Sequence, residues 1–232
     1  MLTLPIRNVA DATPRARLVR IGLDGRAFDF VAGQAVLIAS HGRDEPKPYS
    51  IASSPEDAQR GGYLELLIGL APDGTPGPHV TLERGHLIDV EGPVGTFTFP
   101  ERPLERSFLF VAGGTGIAPL RAMLRHALGG SVAAEHLGLL YSARTPDDFA
   151  FADEFQAYAA SGRLDFRQTV TRETESDWSG ARGRIDRAAL AGLVPHAETL
   201  CFVCGPAAMV DAMPRLLGAL GIAAERIRIE EW

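Results

Sequence analysis

Three short stretches of this 232-residue sequence carry residue types at spacings that suit chemistry. The first is FVAGGTGIAP, where Gly113, Gly114 and Gly116 separate an apolar run from a helical one. Glycines at such a turn let the main chain approach a phosphate closely, and the helix that follows offers unpaired N–H groups and partial positive charge to a pyrophosphate. The spacing Gly-Gly-Thr-Gly-x-x-Pro departs from the dinucleotide fingerprint G-x-G-x-x-G, and Pro119 falls in the first helical turn, where a missing N–H costs little. The second stretch is VCGPAAMV, in which Cys204, Gly205 and Pro206 again stand between strand and helix, at the edge where ligands bind in open α/β sheets. The third is EPKPYSIASSP, residues 45–55. Pro46 and Pro48 cannot donate to a β-ladder and belong at a sheet edge, so Tyr49 is held for something other than ladder stability.

Other chemistry is excluded. CFVC matches the redox pattern C-x-x-C, but it lies in ETLCFVCG, an apolar run that reads as a buried strand whose residues three apart face opposite ways. Two cysteines build neither a disulfide framework nor a four-cysteine iron–sulfur site within this chain. The histidines, His41, His79, His86, His126, His136 and His196, are scattered without ligand-like spacing and read mostly as surface residues. A net charge of −6 with interspersed signs leaves no broad basic surface for nucleic acid or an anionic membrane. The N-terminal residues lack a secretory pattern and no window approaches a membrane span, so the expected location is the cytoplasm.

The elements that must position these stretches fall into two classes. An apolar share of 46% and a charged share of 22% are those of a globular chain able to bury a full core. Before Pro100 the sequence runs in short alternating segments, RARLVRIGL, QAVLIAS, PYSIAS, YLELLIGL and HLIDVEG, separated by turn signals. This predicts an antiparallel barrel or sandwich with no helix. From Ser107 strand and helix alternate: SFLFVAGG, IAPLRAMLRHALGG, HLGLLYSA, DDFAFADEFQAYAASG, LDFRQTV, DRAALAGL, ETLCFVCG, PAAMVDAMPRLLGALG and RIRIEE. That order predicts a parallel sheet covered by helices on both faces. The connector FPERPLERS marks the boundary, giving expected domains of 1–102 and 103–232.

Taken together, KPYSIASSP, GPVGTFTF, VAGGTGIAPLRAML, YSARTPDDFAFADEF and FVCGPAAMV resemble, in order and separation, the motifs of the ferredoxin–NADP reductase family of flavoprotein reductases. The resemblance covers nearly the whole chain. It implies an N-terminal β-barrel that holds a flavin, usually FAD, then a nucleotide-binding α/β domain. It also assigns roles by position. Lys47, Pro48, Tyr49 and Ser50 match the segment that lines the flavin, with Tyr49 along the ring system, Ser50 near its reacting N5 and Lys47 toward the pyrophosphate. Lys47 stands where the family has arginine and lacks the planar fork suited to phosphate oxygens. Gly69 and Leu70, in ELLIGLAP, fall where a strand normally carries a basic residue to the flavin, Ile68 just before them counts among the flavin-contacting positions, and Thr75 or Gly77 falls where a G-x-x-S segment presents its serine. The isoalloxazine side thus looks kept and the phosphate side thinned, which leaves FMN as an alternative to FAD.

On the nucleotide side, Gly113, Gly114, Thr115, Gly116 and Pro119 match the pyrophosphate loop, and Cys204, Gly205 and Pro206 the segment beside the nicotinamide. The second strand ends in YSART without the acid that often holds a ribose 2′-hydroxyl. Ser142, Arg144 and Arg172 offer a hydroxyl and two cations to a 2′-phosphate instead, so NADPH is expected, with NADH as the alternative. Trp232 matches an aromatic residue placed against the flavin face opposite Tyr49. The implied reaction is hydride transfer from nicotinamide to flavin, with Ser50, Cys204 and Trp232 at the reacting ends, then electron transfer to a separate redox protein. That acceptor is a ferredoxin, a flavodoxin or an oxygenase component. Two readings compete with a stand-alone reductase: the reductase subunit of a multicomponent oxygenase, and a non-enzymatic relay or regulatory module whose flavin grip has decayed.

Overall fold

A computed structural model describes residues 1–172 and 178–231. It divides into two compact units: Met1–Phe99 with Arg121–His126, and Pro100–Leu120 with the chain from Ala127 onward. Among the described residues no helix is long and apolar enough to cross a membrane.

The first unit contains strands β1 (Leu2–Thr13), β2 (Ala16–Gly22), β3 (Ala35–Ser40), β4 (Lys47–Ser50), β5 (Tyr63–Gly69) and β6 (Leu87–Val94), with helix α1 (Pro55–Gly61). Every pairing is antiparallel, in the order β4-β3-β6-β1-β2-β5. Past β4 the chain crosses to the far edge: Ile51 bridges Leu66, and Ala52 N–H donates to the Glu65 carbonyl at 2.7 Å. The two outer strands are thereby joined, and the sheet closes into a barrel whose inward side chains, among them Ile6, Ile21, Ile38, Leu66 and Ile88, form one buried cluster. Strand β1 is not among the segments read from the sequence. Pro5 interrupts its pattern, at the point where the strand passes from pairing with β6 to pairing with β2.

The expectation of no helix before Pro100 is corrected by α1. Ser54 caps it by accepting from Asp57 N–H at 3.1 Å, Pro55 opens it, and Gly62 ends it in the left-handed region at φ 68°. Ser-Pro-Glu-Asp is a capping sequence, and a following Gly-Gly is a stop signal.

The second unit is a parallel six-stranded sheet of β7 (Ser107–Gly113), β8 (His136–Ala143), β9 (Asp165–Val170), β10 (Ala181–Arg182), β11 (Leu200–Gly205) and β12 (Ile227–Glu231), in the order β10-β9-β8-β7-β11-β12. Its helices are α3 (Ala152–Ala160), α4 (Arg187–Ala191), α5 (Ala207–Val210) and α6 (Met213–Gly218), together with the first turn of α2 (Ile117–His126), whose residues from Arg121 on belong to the first unit. The apolar runs SFLFVAG and LCFVCG are buried along their whole length, as parallel strands covered on both faces require. PAAMVDAMPRLLGALG, read as one helix, forms two, and Pro214 stands in the first turn of the second. The two-residue β10 was not anticipated. The strand order reverses between β7 and β11, whose C-terminal ends lie side by side.

Candidate functional site

The strand ends of β7 and β11 meet through their main chains. A Cβ built on Gly116 would stand 2.4 Å from the Cys204 carbonyl oxygen and 2.8 Å from Gly205 N. One on Gly205 would lie 3.0 Å from Gly113 Cα, and one on Gly113 would lie 2.8 Å from Pro206 Cδ. These glycines therefore answer a packing demand, and the loop they form has one further property. Gly114 has a φ of +55° and nothing within 4 Å of a Cβ built on it, so its backbone borders open space. Residues Gly114–Gly116 form a tight turn that runs directly into α2, with Thr115 exposed and Pro119 buried. The unpaired N–H groups of this first turn are a ready anion site.

A residue that the sequence reading passed over fixes the loop from behind. Tyr141, on β8, is fully buried and donates its hydroxyl to the Gly114 carbonyl at 3.0 Å. Burial pushes that hydroxyl above the ordinary tyrosine range, so it stays a donor. Phe149 packs edge-on against Tyr141 at 5.0 Å, and Trp178 covers Phe149 at 5.6 Å.

Beyond β8 and β9 the ladder continues. Thr171 N–H donates to the Ala143 carbonyl at 3.0 Å, and Arg172 N–H to the Arg144 carbonyl at 2.9 Å. Arg144 and Arg172, both exposed, are thus adjacent at one edge, with Ser142 paired to Gly113 across β7–β8. The Asp148 carboxylate accepts from Thr145 N–H and Oγ1 at 3.2 and 3.0 Å, which holds the turn just after Arg144. Cys204 is fully buried, so its main chain rather than its thiol borders the Gly116 turn, while Pro206 is exposed. Cys201, also buried, has its thiol pushed up to about 12 by burial, which leaves it inert at neutral pH.

In the barrel, β4 is an edge strand, as the flanking prolines implied; Tyr49 pairs with Val36 and Ser50 with Ala35 of β3. Lys47 and Pro48 are exposed, Tyr49 is half-buried against the barrel core, and Ser50 is buried. Ser50 Oγ is one of two buried side-chain polar atoms without a hydrogen-bond partner among the described residues. An orphaned hydroxyl beside an edge tyrosine fits a ligand that brings its own polar atom. The small residues that follow are explained by burial: Ala52 and Ser53 are fully enclosed. Glu65 holds them, its N–H donating to Ser53 Oγ at 3.1 Å, and Arg121 donates to the Ala52 carbonyl at 2.9 Å.

Glu65 and Arg121 form a buried ion pair at 2.7 Å, and Arg20 reaches the other carboxylate oxygen at 2.9 Å. Burial alone would raise the Glu65 carboxyl, but the two guanidinium groups hold it below the usual carboxylate range. Asp57 and Glu56 of α1 likewise receive Arg125 and His126.

The other expected flavin residues are less well placed as side chains. Ile68 belongs to the barrel core and offers a ligand only its backbone, and Gly69 is exposed at the end of β5. Thr75 gives both its N–H and its hydroxyl proton to Asp73, at 3.0 and 2.8 Å. Gly77 adopts φ +96° beside His79. The reading of the histidines as surface residues holds for His41 and His196 and is corrected for the rest, which are half-buried or buried. His79 is 9% exposed, and its Nε2 lies 2.9 Å from Tyr49 Oη. Trp232 lies outside the described residues.

Residues 4–99 match the family described as the oxidoreductase FAD-binding domain, and residues 110–215 the oxidoreductase NAD-binding domain. Ferredoxin–NADP reductase B of Sorangium cellulosum is 35% identical over 221 residues, covering 90% of this chain and 88% of that protein. The glycine betaine monooxygenase reductase subunit of Chromohalobacter salexigens is 30% identical over 217 residues, covering 85% of this chain and 57% of that one. Other relatives are longer, and the chain spans about half of them. Among solved structures, the ferredoxin reductase in carbazole 1,9a-dioxygenase matches with a TM-score of 0.82 at 26% identity, over 99% of this chain and 68% of that chain.

Proposed function

We propose that this chain, which belongs to the ferredoxin–NADP reductase family of NAD(P)H-dependent flavin oxidoreductases, oxidises NADPH by way of FAD and delivers the electrons to a separate redox protein. When bound, the flavin supplies the redox chemistry, accepting hydride from the nicotinamide and passing electrons on. The protein's own contribution is binding, orientation and electrostatics.

In the second unit, Gly113, Gly114, Thr115 and Gly116, with the first turn of α2 at Pro119, bind the dinucleotide pyrophosphate through backbone N–H groups. Cys204, Gly205 and Pro206 border the nicotinamide through their main chain. Ser142, Arg144 and Arg172 take the 2′-phosphate. The observation that carries the choice of NADPH is the 2.9 Å bond from Arg172 N–H to the Arg144 carbonyl, which sets the main chains of two exposed arginines side by side, within reach of one phosphate on this reading.

In the barrel, the face of Tyr49 supports the flavin ring, the free Ser50 hydroxyl bonds its reacting edge, and Lys47 gives charge to its phosphates. The exposed backbone at Gly69 and the half-buried one at Gly77 allow close approach. A second reading, that the chain is the reductase component of an oxygenase system, is favoured by its 30% identity to an oxygenase reductase subunit.

Anaerobic titration with NADPH and NADH, followed by absorbance and then by release and identification of the flavin, tests this reading. The purified protein is expected to be yellow and to be bleached at lower concentrations of NADPH than of NADH. A colourless protein that gains no flavin spectrum with FAD or FMN would overturn it. Reduction of an added ferredoxin or flavodoxin, against reduction only of a partner oxygenase component, separates the two acceptor readings.

A further inference from the structure

The family resemblance leaves the flavin phosphates with a thinned grip, and Thr75, the hydroxyl nearest the expected serine position, has committed its proton to Asp73. The barrel nevertheless holds an unused donor close by. His79 is buried, its carbonyl accepts from Ser40 N–H at 2.9 Å, and its ring lies within 15° of parallel to that of Tyr49. Burial raises the Tyr49 phenol, so it keeps its proton and has one to give. A neutral imidazole that accepts at Nε2 carries its own proton at Nδ1. That atom faces Gly77: a Cβ built there would stand 3.3 Å from Nδ1 and 3.5 Å from Cε1, so a side chain at position 77 would cover the donor that glycine leaves open.

We propose that His79 donates from Nδ1 to a flavin phosphate, with Tyr49 O–H to Nε2 fixing the tautomer and Lys47 supplying the neighbouring charge. The inference rests on the flavin-binding reading above. It replaces the absent serine with a residue two positions beyond Gly77, and it gives the exposed Lys47 a partner: a cation and an N–H donor converging on one anion.

A proton linkage follows. Burial and then the charge of Lys47 lower the His79 imidazole from its ordinary value, so the ligand-free ring is neutral near pH 7. The charged and titratable groups acting on the ring are Lys47 and Tyr49, both on β4. A bound phosphate favours the charged ring, so binding takes up a proton at Nε2, which then donates to Tyr49 Oη, and FAD affinity rises as the solution is acidified below neutrality.

The test uses deflavinated protein titrated by fluorescence with riboflavin, FMN and FAD. His79→Leu is expected to weaken FMN and FAD about tenfold, the loss of one phosphate hydrogen bond, while riboflavin binding holds. The pH slope for FAD should vanish in His79→Leu, and His79→Gln, which keeps an N–H donor, should recover part of the affinity. Should His79→Leu fail to fold, ¹⁵N-histidine NMR of the wild-type protein serves instead: the His79 pKa should rise with FAD and not with riboflavin. Equal losses for riboflavin and FMN, an unchanged pH slope, or an unmoved His79 signal would each overturn the role of His79 while leaving flavin binding intact. Wild-type protein that binds none of the three flavins overturns the flavin reading and this inference with it.

Discussion

The groups proposed to face a ligand lie on the backbone at the strand ends of the second unit and on side chains at the barrel edge. At Gly116 the main chain of Cys204 and Gly205 approaches so closely that no Cβ fits, Gly205 lies against the Gly113 backbone, and recognition would fall to N–H groups whose positions the sheet fixes. At β4 the proposed groups are Tyr49, Ser50 and Lys47, and their supports are distant in sequence: His79 bonds Tyr49, while Glu65 and Arg121 fix Ser53 and Ala52 just beyond the strand. A backbone-built site tolerates little change in geometry and much in side-chain chemistry. A site built from side chains does the reverse, and its weak points are buried charges rather than close contacts.

Removing a charge from the barrel support should have the largest effect. Arg121→Met leaves Glu65 buried with only Arg20, and breaking such a pair costs about 3–5 kcal/mol. Calorimetry should show the melting temperature lowered by about 2–4 °C per kcal/mol for a chain of this size. The pH dependence sharpens the point. In the wild type Glu65 is held below its ordinary value of 4.5, so its contribution is present above that pH and is lost as pH falls through the lowered value. In Arg121→Met the carboxyl is raised instead, and the deficit against wild type should shrink as the solution is acidified. A deficit constant across pH 7 to 4 would mean that the loss is packing alone.

Crowding the backbone-built site comes next. Gly116→Ala places a methyl 2.4 Å from the Cys204 carbonyl, a contact that only a main-chain shift relieves. Overpacking of this kind costs about 1–3 kcal/mol. NADP⁺ binding, measured by calorimetric titration, should be lost while flavin binding persists; flavin loss to the same extent would break the division of labour between the units.

A smaller effect, confined to one substrate, is expected at the paired arginines. Arg144→Ala with Arg172→Ala removes two solvent-exposed charge contacts worth up to about 1 kcal/mol each, so KM for NADPH should rise by up to roughly 30-fold and that for NADH should change little. Equal changes would defeat the assignment of the 2′-phosphate. The smallest effect is expected at Tyr141→Phe, which removes one neutral hydrogen bond to Gly114, about 1 kcal/mol, and should weaken NADP⁺ a few-fold without touching NADPH-over-NADH preference.

The same contrast explains what the sequence made legible. Glycines demanded by close approach announce themselves whatever they pack against, so the turns at Gly113–Gly116 and Gly205 could be read locally, as could the edge position of β4 from Pro46 and Pro48. Arg144 and Arg172 could be paired in advance because ends of neighbouring parallel strands lie together. The barrel supports could not. Glu65 reads as one polar residue in the alternation of YLELLIGL, and nothing local ties it to Arg121. Tyr49 and His79 are 30 residues apart and meet only because the barrel closes. Helix α1 was a different kind of omission: its capping signal is present in Ser54–Asp57, hidden within a run that reads as loop.

The edge formed by β4 has a consequence outside catalysis. A strand that keeps one side open for a flat ligand keeps it open for any other strand, and exposed edges are where chains add to one another and aggregate. Here Pro48 brings no N–H to a would-be neighbour, Lys47 sets a charge beside it, and after Ser50 the chain turns away to bridge β5. The departure from arginine at position 47 therefore keeps a second duty intact. It guards the ligand-free edge against self-association while the barrel waits for its cofactor.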